Sequence, residues 1–185
     1  MAEVNHEKIE RLVARARRKD REAFSEIVRL LMNSIVALTY RMTGNREVAL
    51  DLTQDTFVSA WEYLSSFRGE AKFESWLYRI ASNKAINYLN TVKPISIDKE
   101  VDPPDQSVAT PEDLYTRKEL RQAVLGFMRE LPLQQRLTFE LRFYRQMSFE
   151  EIAEMTGRAL GTVKTNYREA VLKLRAFATA KGWRP

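Results

Sequence analysis

The chain has 185 residues, 44% hydrophobic and 30% charged, with a formal net charge of +5. That length allows one large domain or two small ones, each able to bury its own core. With no cysteine and a single histidine, His6, the chain cannot build disulfides, thiolate metal sites, the common zinc sites or a histidine-based catalytic triad. No cofactor is implied, and nothing points to an enzyme. No apolar run approaches the roughly 20 residues of a membrane span. The opening EVNHEKIERLVARARRKD is too charged for a secretory signal. His6 is expected to sit exposed in a frayed start. A cytoplasmic protein with no membrane insertion fits these features.

In chain order, the first half reads as helix throughout. Ala23, Phe24, Ile27, Val28 and Leu31 share one face, and a second apolar stretch runs from Ile35 to Met42. Thr43-Gly44-Asn45 supplies a turn. A helix from about Glu47 to Leu64 offers Val48, Leu52, Phe57, Ala60, Trp61 and Leu64 to a core. Ser65 to Lys72 contains Gly69 and reads as a loop. A further helix, about Phe73 to Asn90, buries Leu77, Ile80, Ala81, Ala85, Tyr88 and Leu89.

The stretch from Thr91 to Asp113 breaks this pattern. Pro94, Pro103, Pro104 and Pro111 deny helix to it and to the residues before them. It is acidic and poor in large apolar groups, so it reads as an extended linker. Thr110 followed by Pro111, Glu112 and Asp113 suits a cap and first turn. One helix then covers Leu114 to Phe127. A break at Leu131-Pro132 starts another, running through Phe143. The closing AKGWRP should fray. With no useful period-two run, the fold is predicted all-α: two small helical domains, 1–91 and 113–185, joined by a flexible acidic linker over 92–112.

Met147 to Arg175 looks like a helix-turn-helix. Ser148 and Glu151 form a capping box. Ile152, Ala153 and Met155 give a short helix its apolar side, and Gly157 suits a turn at positive φ. Val163, Tyr167, Ala170 and Leu174 then recur at helical spacing, leaving Lys164, Thr165, Arg168 and Arg175 outside. From Thr156 onward the chain holds 7 Lys/Arg against 1 Asp/Glu, so positive charge gathers where phosphates would need it. A cationic second helix suits the DNA major groove. The same spacing also fits an ordinary helical hairpin with a solvated basic face.

DLTQDTFVSAWEYLSSFRGEAKFESWLYRIASNKAINYLN resembles the core of region 2 of bacterial sigma factors. LPLQQRLTFELRFYRQMSFEEIAEMTGRALGTVK resembles region 4 of the same family. Two such motifs in this order, with only a short linker between, resemble the extracytoplasmic function (group IV) class. The resemblance implies a protein that binds core RNA polymerase, at its largest-subunit clamp helices and flap region. Such a protein directs promoter-specific initiation and has no catalytic residue of its own. An anti-sigma partner is expected for the class.

The physics of each piece fits. Asp51, Gln54 and Asp55 share one helix face, which the resemblance assigns to the polymerase clamp. By spacing alone it also fits a solvated polar face. Phe67, Arg68, Phe73, Trp76, Arg79, Asn83, Lys84 and Asn87 combine aromatic faces for unpaired bases with cations for phosphates. The resemblance assigns them to the minus-ten element, with a flipped base held by the loop from about Ser65 to Phe73. Alternatively Phe73, Trp76 and Tyr78 are core, and at least one of them is expected to be. Arg158, Thr162, Lys164, Thr165, Arg168 and Glu169 match the region that contacts the minus-thirty-five element as duplex. Thr165-Asn166 stands where the family commonly shows Ser-Arg, Glu169 where a basic residue is frequent, and Ala159 where Ser or Thr often caps.

Two rival readings use the same residues. A stand-alone helix-turn-helix regulator would bind operators as a dimer, but no extra helix or heptad run offers a dimer surface. An adaptor would bind protein only, with every aromatic in the core.

Overall fold

The computed structural model describes the backbone of residues 2–91 and 111–183, and the side chains of 6–91, 119–120 and 122–183. Every regular element among them is helical. The chain divides into two compact units, one formed by residues 1–43 and 47–93, the other centred on 94–185. The expected linker falls largely outside the described residues, as does the Thr110 cap.

The first unit holds α1 (Ala2–Ala16), α2 (Arg21–Thr43), α3 (Arg46–Tyr63), a 3₁₀ turn (Leu64–Ser66) and α4 (Phe73–Thr91). The start is helical and packed, where fraying was expected. Ile9, Leu12, Val13 and Ala16 fall at helical spacing and are buried, because α1 packs along α2 and reaches α4. His6 is correspondingly half-buried. Its ring lies 3.2 Å from Glu10 and 3.4 Å from Glu74 of α4. Asp20 caps α2, its carboxylate accepting the Ala23 N–H at 3.0 Å and pairing with Arg15 at 2.7 Å. That amide, followed by the Arg15 contact, holds the Asp20 carboxyl below its usual pKa.

Among the described helices α2 is long and apolar enough, by length and composition only, to be a candidate membrane span. Its best 18-residue window reaches a mean hydropathy of 1.2. The reason is a core role: Ile27, Leu31, Ile35 and Leu38 are buried against α1 and α4. Small hydroxyls close α2 onto α3. The Thr39 hydroxyl lies 3.0 Å from the Ala49 carbonyl and 3.2 Å from Thr53, which donates to the same carbonyl at 2.7 Å.

The second unit holds α5 (Pro111–Glu130), α6 (Leu133–Phe139), a π turn (Glu140–Tyr144), α7 (Phe149–Thr156) and α8 (Leu160–Ala180). Pro111 opens α5, as its missing N–H favours. Phe127, Met128, Leu131, Phe139 and Ala170 form the core. The helix expected through Phe143 changes pitch after Phe139. Glu140 is fully buried, and both Nε and an Nη of Arg145 lie 3.1 Å from its Oε1. Arg145 N–H also donates to the Glu140 carbonyl at 3.3 Å, the wide spacing of a π turn. Of the AKGWRP end, expected to fray, the described residues through Trp183 close onto α8. The Trp183 amide donates to the Ala178 carbonyl at 2.9 Å, and its ring packs edge-on to Phe177 at 6.2 Å.

Candidate polymerase and nucleic-acid interfaces

α3 separates its two faces sharply. Ala49, Thr53, Thr56, Phe57 and Ala60 point inward, while Asp51, Gln54 and Asp55 are exposed together. Two apolar side chains share that outer surface, Leu50 at 38% and Val58 at 57% exposure. They escaped the sequence reading because period-3.6 counting assigns apolar residues inward by default. The signal was their i, i+4 spacing with Gln54, out of phase with Phe57 and Ala60.

The loop after α3 is pinned by aromatics. Phe67, Phe73 and Trp76 form a triangle with ring centroids 5.3–5.5 Å apart. Phe73 is 2% exposed and Phe67 9%, so neither offers a face to a base in this conformation. They anchor the loop instead, and Trp76 is half-buried. The Ser66 hydroxyl donates to the Tyr63 carbonyl at 2.7 Å, and Gly69 turns the chain at a φ of 78°. Arg68 projects into solvent, 3.9 Å from Glu70.

α4 continues from that loop with its own division. Leu77, Ala81, Ser82 and Ala85 are buried. Arg79, Asn83, Asn87 and Asn90 are exposed along the other side, with Lys84 intermediate. Ile80, Tyr88 and Leu89 are only half-buried, less than the sequence predicts. α4 thus sets Trp76, Arg79, Asn83 and Asn87 on consecutive turns, after the exposed Arg68 of the loop.

In the second unit, the two caps of α7 are complete. Ser148 Oγ accepts the Glu151 N–H at 3.0 Å, and Glu151 accepts the Ser148 N–H at 2.7 Å. Gly157 closes the helix at a φ of 65°, and the Arg158 amide returns to the Ala153 carbonyl at 3.1 Å. Ile152 and Val163 are fully buried where α7 meets α8. Ala159 precedes α8 without a side-chain cap, so the first amides of α8 keep free donors, which favours an anion there. Arg158, Thr162, Lys164, Thr165 and Arg168 are exposed, Glu169 and Asn166 intermediate. Tyr167 turns inward, stacked on Phe139 at 6.1 Å.

Comparison with known proteins fits both units. Residues 27–93 match the model of Sigma-70 region 2, and residues 121–174 match that of Sigma-70, region 4. ECF RNA polymerase sigma factor SigW of Bacillus subtilis is 34% identical, over 89% of this chain and 95% of its own length. The chain belongs to the ECF RNA polymerase sigma factors. ECF RNA polymerase sigma-E factor of Escherichia coli is likewise 34% identical, covering 86% of this sigma factor and 90% of its own length.

Solved structures repeat the fold. CnrH, in complex with the cytosolic domain of CnrY, superposes with a TM-score of 0.70 at 24% identity, over 91% of this chain and 96% of that one. The sigma factor RpoE from Bartonella quintana, in complex with the anti-sigma factor NepR, gives 0.67 at 20%, over 84% and 96%. A sigma factor of this family acts in promoter-specific transcription initiation, which separates it from a stand-alone operator-binding regulator.

Proposed function

We propose that this sigma factor, a member of group IV, docks on the clamp helices of the largest polymerase subunit through Asp51, Gln54 and Asp55. A basic coiled-coil surface is the complement of that acidic face, and Leu50 and Val58 give it apolar area to bury. Its domains are taken as 1–91 and 113–185, with 92–112 as linker.

The minus-ten element falls to the loop after α3 and to α4. Extracting a base costs a few kcal/mol of stacking and pairing, and a pre-ordered pocket recovers it. The Phe67–Phe73–Trp76 triangle supplies that order, so Phe67 and Phe73 act through the loop they hold. Arg68, Trp76, Arg79, Asn83, Lys84 and Asn87 are then the groups that meet DNA. The minus-thirty-five element falls to α8, with Lys164, Thr165 and Arg168 reaching base edges or phosphates, Arg158 and Thr162 flanking them, and Glu169 facing cytosine N4 or repelling phosphate. The flap region of polymerase would seat the second domain.

The protein would work in the bacterial cytoplasm, without a cofactor, and the phosphodiester chemistry would belong to polymerase. An anti-sigma partner that covers the polymerase-facing surfaces is expected. The observation that carries this reading is the exposure of Asp51, Gln54 and Asp55, of Arg68, Arg79, Asn83 and Asn87, and of Arg158, Thr162, Lys164, Thr165 and Arg168, on or beside helices whose opposite faces are core. Run-off transcription with purified core polymerase on genomic fragments tests it. Discrete start sites that require the chain support it, and an unchanged transcript pattern refutes it.

A further inference from the structure

The α1–α2 junction carries a cationic surface that none of these roles uses. Arg15, Arg17, Arg18, Lys19 and Arg21 crowd one short turn, with Asp20 the only acid among them. Asp20 is already engaged, by Arg15 and the Ala23 amide. Arg17, Arg18, Lys19 and Arg21 are all exposed, and among the described residues no salt bridge holds them. Lys19 adopts a left-handed φ of 69°, which swings its chain out of the helical path and over the ring of Trp61 at 5.9 Å.

Trp61 is half-buried and meets Phe24 at 5.0 Å, tilted by 55°. Beside this aromatic pair is a cleft of about 260 Å³ lined by Arg21, Phe24, Ser25 and Trp61. It shares Arg21 and Ser25 with a wider groove of about 570 Å³, which Arg15 and Arg29 also line. Glu22 and Glu26 also line that groove, but Glu26 is taken by Lys8 at 2.6 Å.

We propose that this surface binds single-stranded DNA, one base stacking in the Trp61 cleft while Lys19, Arg21 and the Arg17–Arg18 pair take the flanking phosphates. An aromatic face beside a cationic track is the arrangement that holds unpaired strands without reading sequence. Duplex would not use the ring, because its bases are already stacked. Lys19 sits over the ring only while no base does, and its flexible stem then carries the ammonium to a phosphate. Its role rests on the minus-ten reading: Trp61 lies in the last turn of α3, and the chain runs from there through the Leu64–Ser66 turn to Arg68. A strand opened at the minus-ten element would thus meet a second, sequence-tolerant grip on the same domain.

Anisotropy of a fluorescent 18-nucleotide oligo-dT, titrated with the full chain at several salt concentrations, tests this. Trp61→Ala should weaken binding by roughly tenfold, the loss of one stacked base. Trp61→Tyr, which keeps a stacking face, should stay near wild type. Arg17→Ala/Arg18→Ala, on an exposed turn with no packing role, should lower the salt slope by about 0.7 for each phosphate lost. Arg79→Ala, assayed on a minus-ten fork with an unpaired strand, reports the minus-ten site separately, so either reading can fail alone. The proposal is overturned if the wild-type chain does not bind oligo-dT at low salt. It is equally overturned if the Trp61 and Arg17/Arg18 variants bind it normally, including the case where they lose core polymerase instead.

Discussion

Glu140 and Arg145 form a buried ion pair across a π turn, with two guanidinium nitrogens 3.1 Å from one carboxylate oxygen. The pair joins the end of the core helix α6 to the segment that launches the helix-turn-helix, where the amide of Met147, two residues after Arg145, returns to the Leu141 carbonyl at 3.2 Å. Removing one partner strands a buried charge. Glu140→Ala should therefore cost about 3–5 kcal/mol in urea unfolding, whereas Glu140→Leu/Arg145→Met should recover most of it. If the single variant is as stable as wild type, the pair is not what holds the turn.

The caps of α7 act more locally. Ser148→Ala should destabilise the second unit by about 1 kcal/mol. Gly157→Ala should cost a similar amount through its left-handed φ of 65°, since open space surrounds the position. Amide exchange in α7 is the readout, and both variants should raise it.

The aromatic triangle separates support from contact. Phe73→Ala should lose about 3–5 kcal/mol of stability, as expected of a buried ring. Arg79→Ala and Asn83→Ala should leave the melting curve unchanged yet slow strand opening, followed by 2-aminopurine fluorescence at the minus-ten element. A normal opening rate in both polar variants would remove α4 from that role.

On α8 the exposed set should divide by kind of contact. Lys164→Ala is expected to weaken every minus-thirty-five duplex alike and to reduce the salt slope by about 0.9, as for one phosphate. Arg168 changes should instead alter the preferred sequence, at about 1–3 kcal/mol for a lost bidentate guanine contact, and Thr165 changes should do so through a single hydroxyl bond or a thymine-methyl contact. Binding measured across a duplex library distinguishes the two patterns.

Asp20 makes the fold sensitive to acid. Its carboxyl is held below the usual value by the Ala23 amide and Arg15, so its contribution is present above the unfolded value of about 3.9 and disappears as pH falls through the folded one. Asp20→Asn keeps a capping oxygen but does not titrate. Its stability should fall less than wild type's between about pH 5 and pH 2.

Much of this was legible in the sequence. Apolar periodicity marked the helices of both units, the Ser148–Glu151 box and Gly157 marked the ends of α7, and Val163 to Leu174 marked the inner stripe of α8. What escaped depends on distant partners. The packing of α1 needs the surface of α2, and the His6 contact needs Glu74 of α4. The π turn needs Arg145 to meet a glutamate that composition would place outside. The roles of Phe67 and Phe73 could not be divided from that of Trp76, because one aromatic spacing serves both stacking and burial.

The most direct test of the sigma-factor account is gel filtration of the chain with bacterial core RNA polymerase, beside an Asp51→Ala/Asp55→Ala variant. The exposed face of α3 predicts stoichiometric co-elution of the wild type and its loss in the variant, with both proteins equally folded by circular dichroism. Co-elution of the variant at wild-type stoichiometry would contradict the assigned docking face. Absence of binding by the intact chain, free of any inhibitor, would contradict the account as a whole.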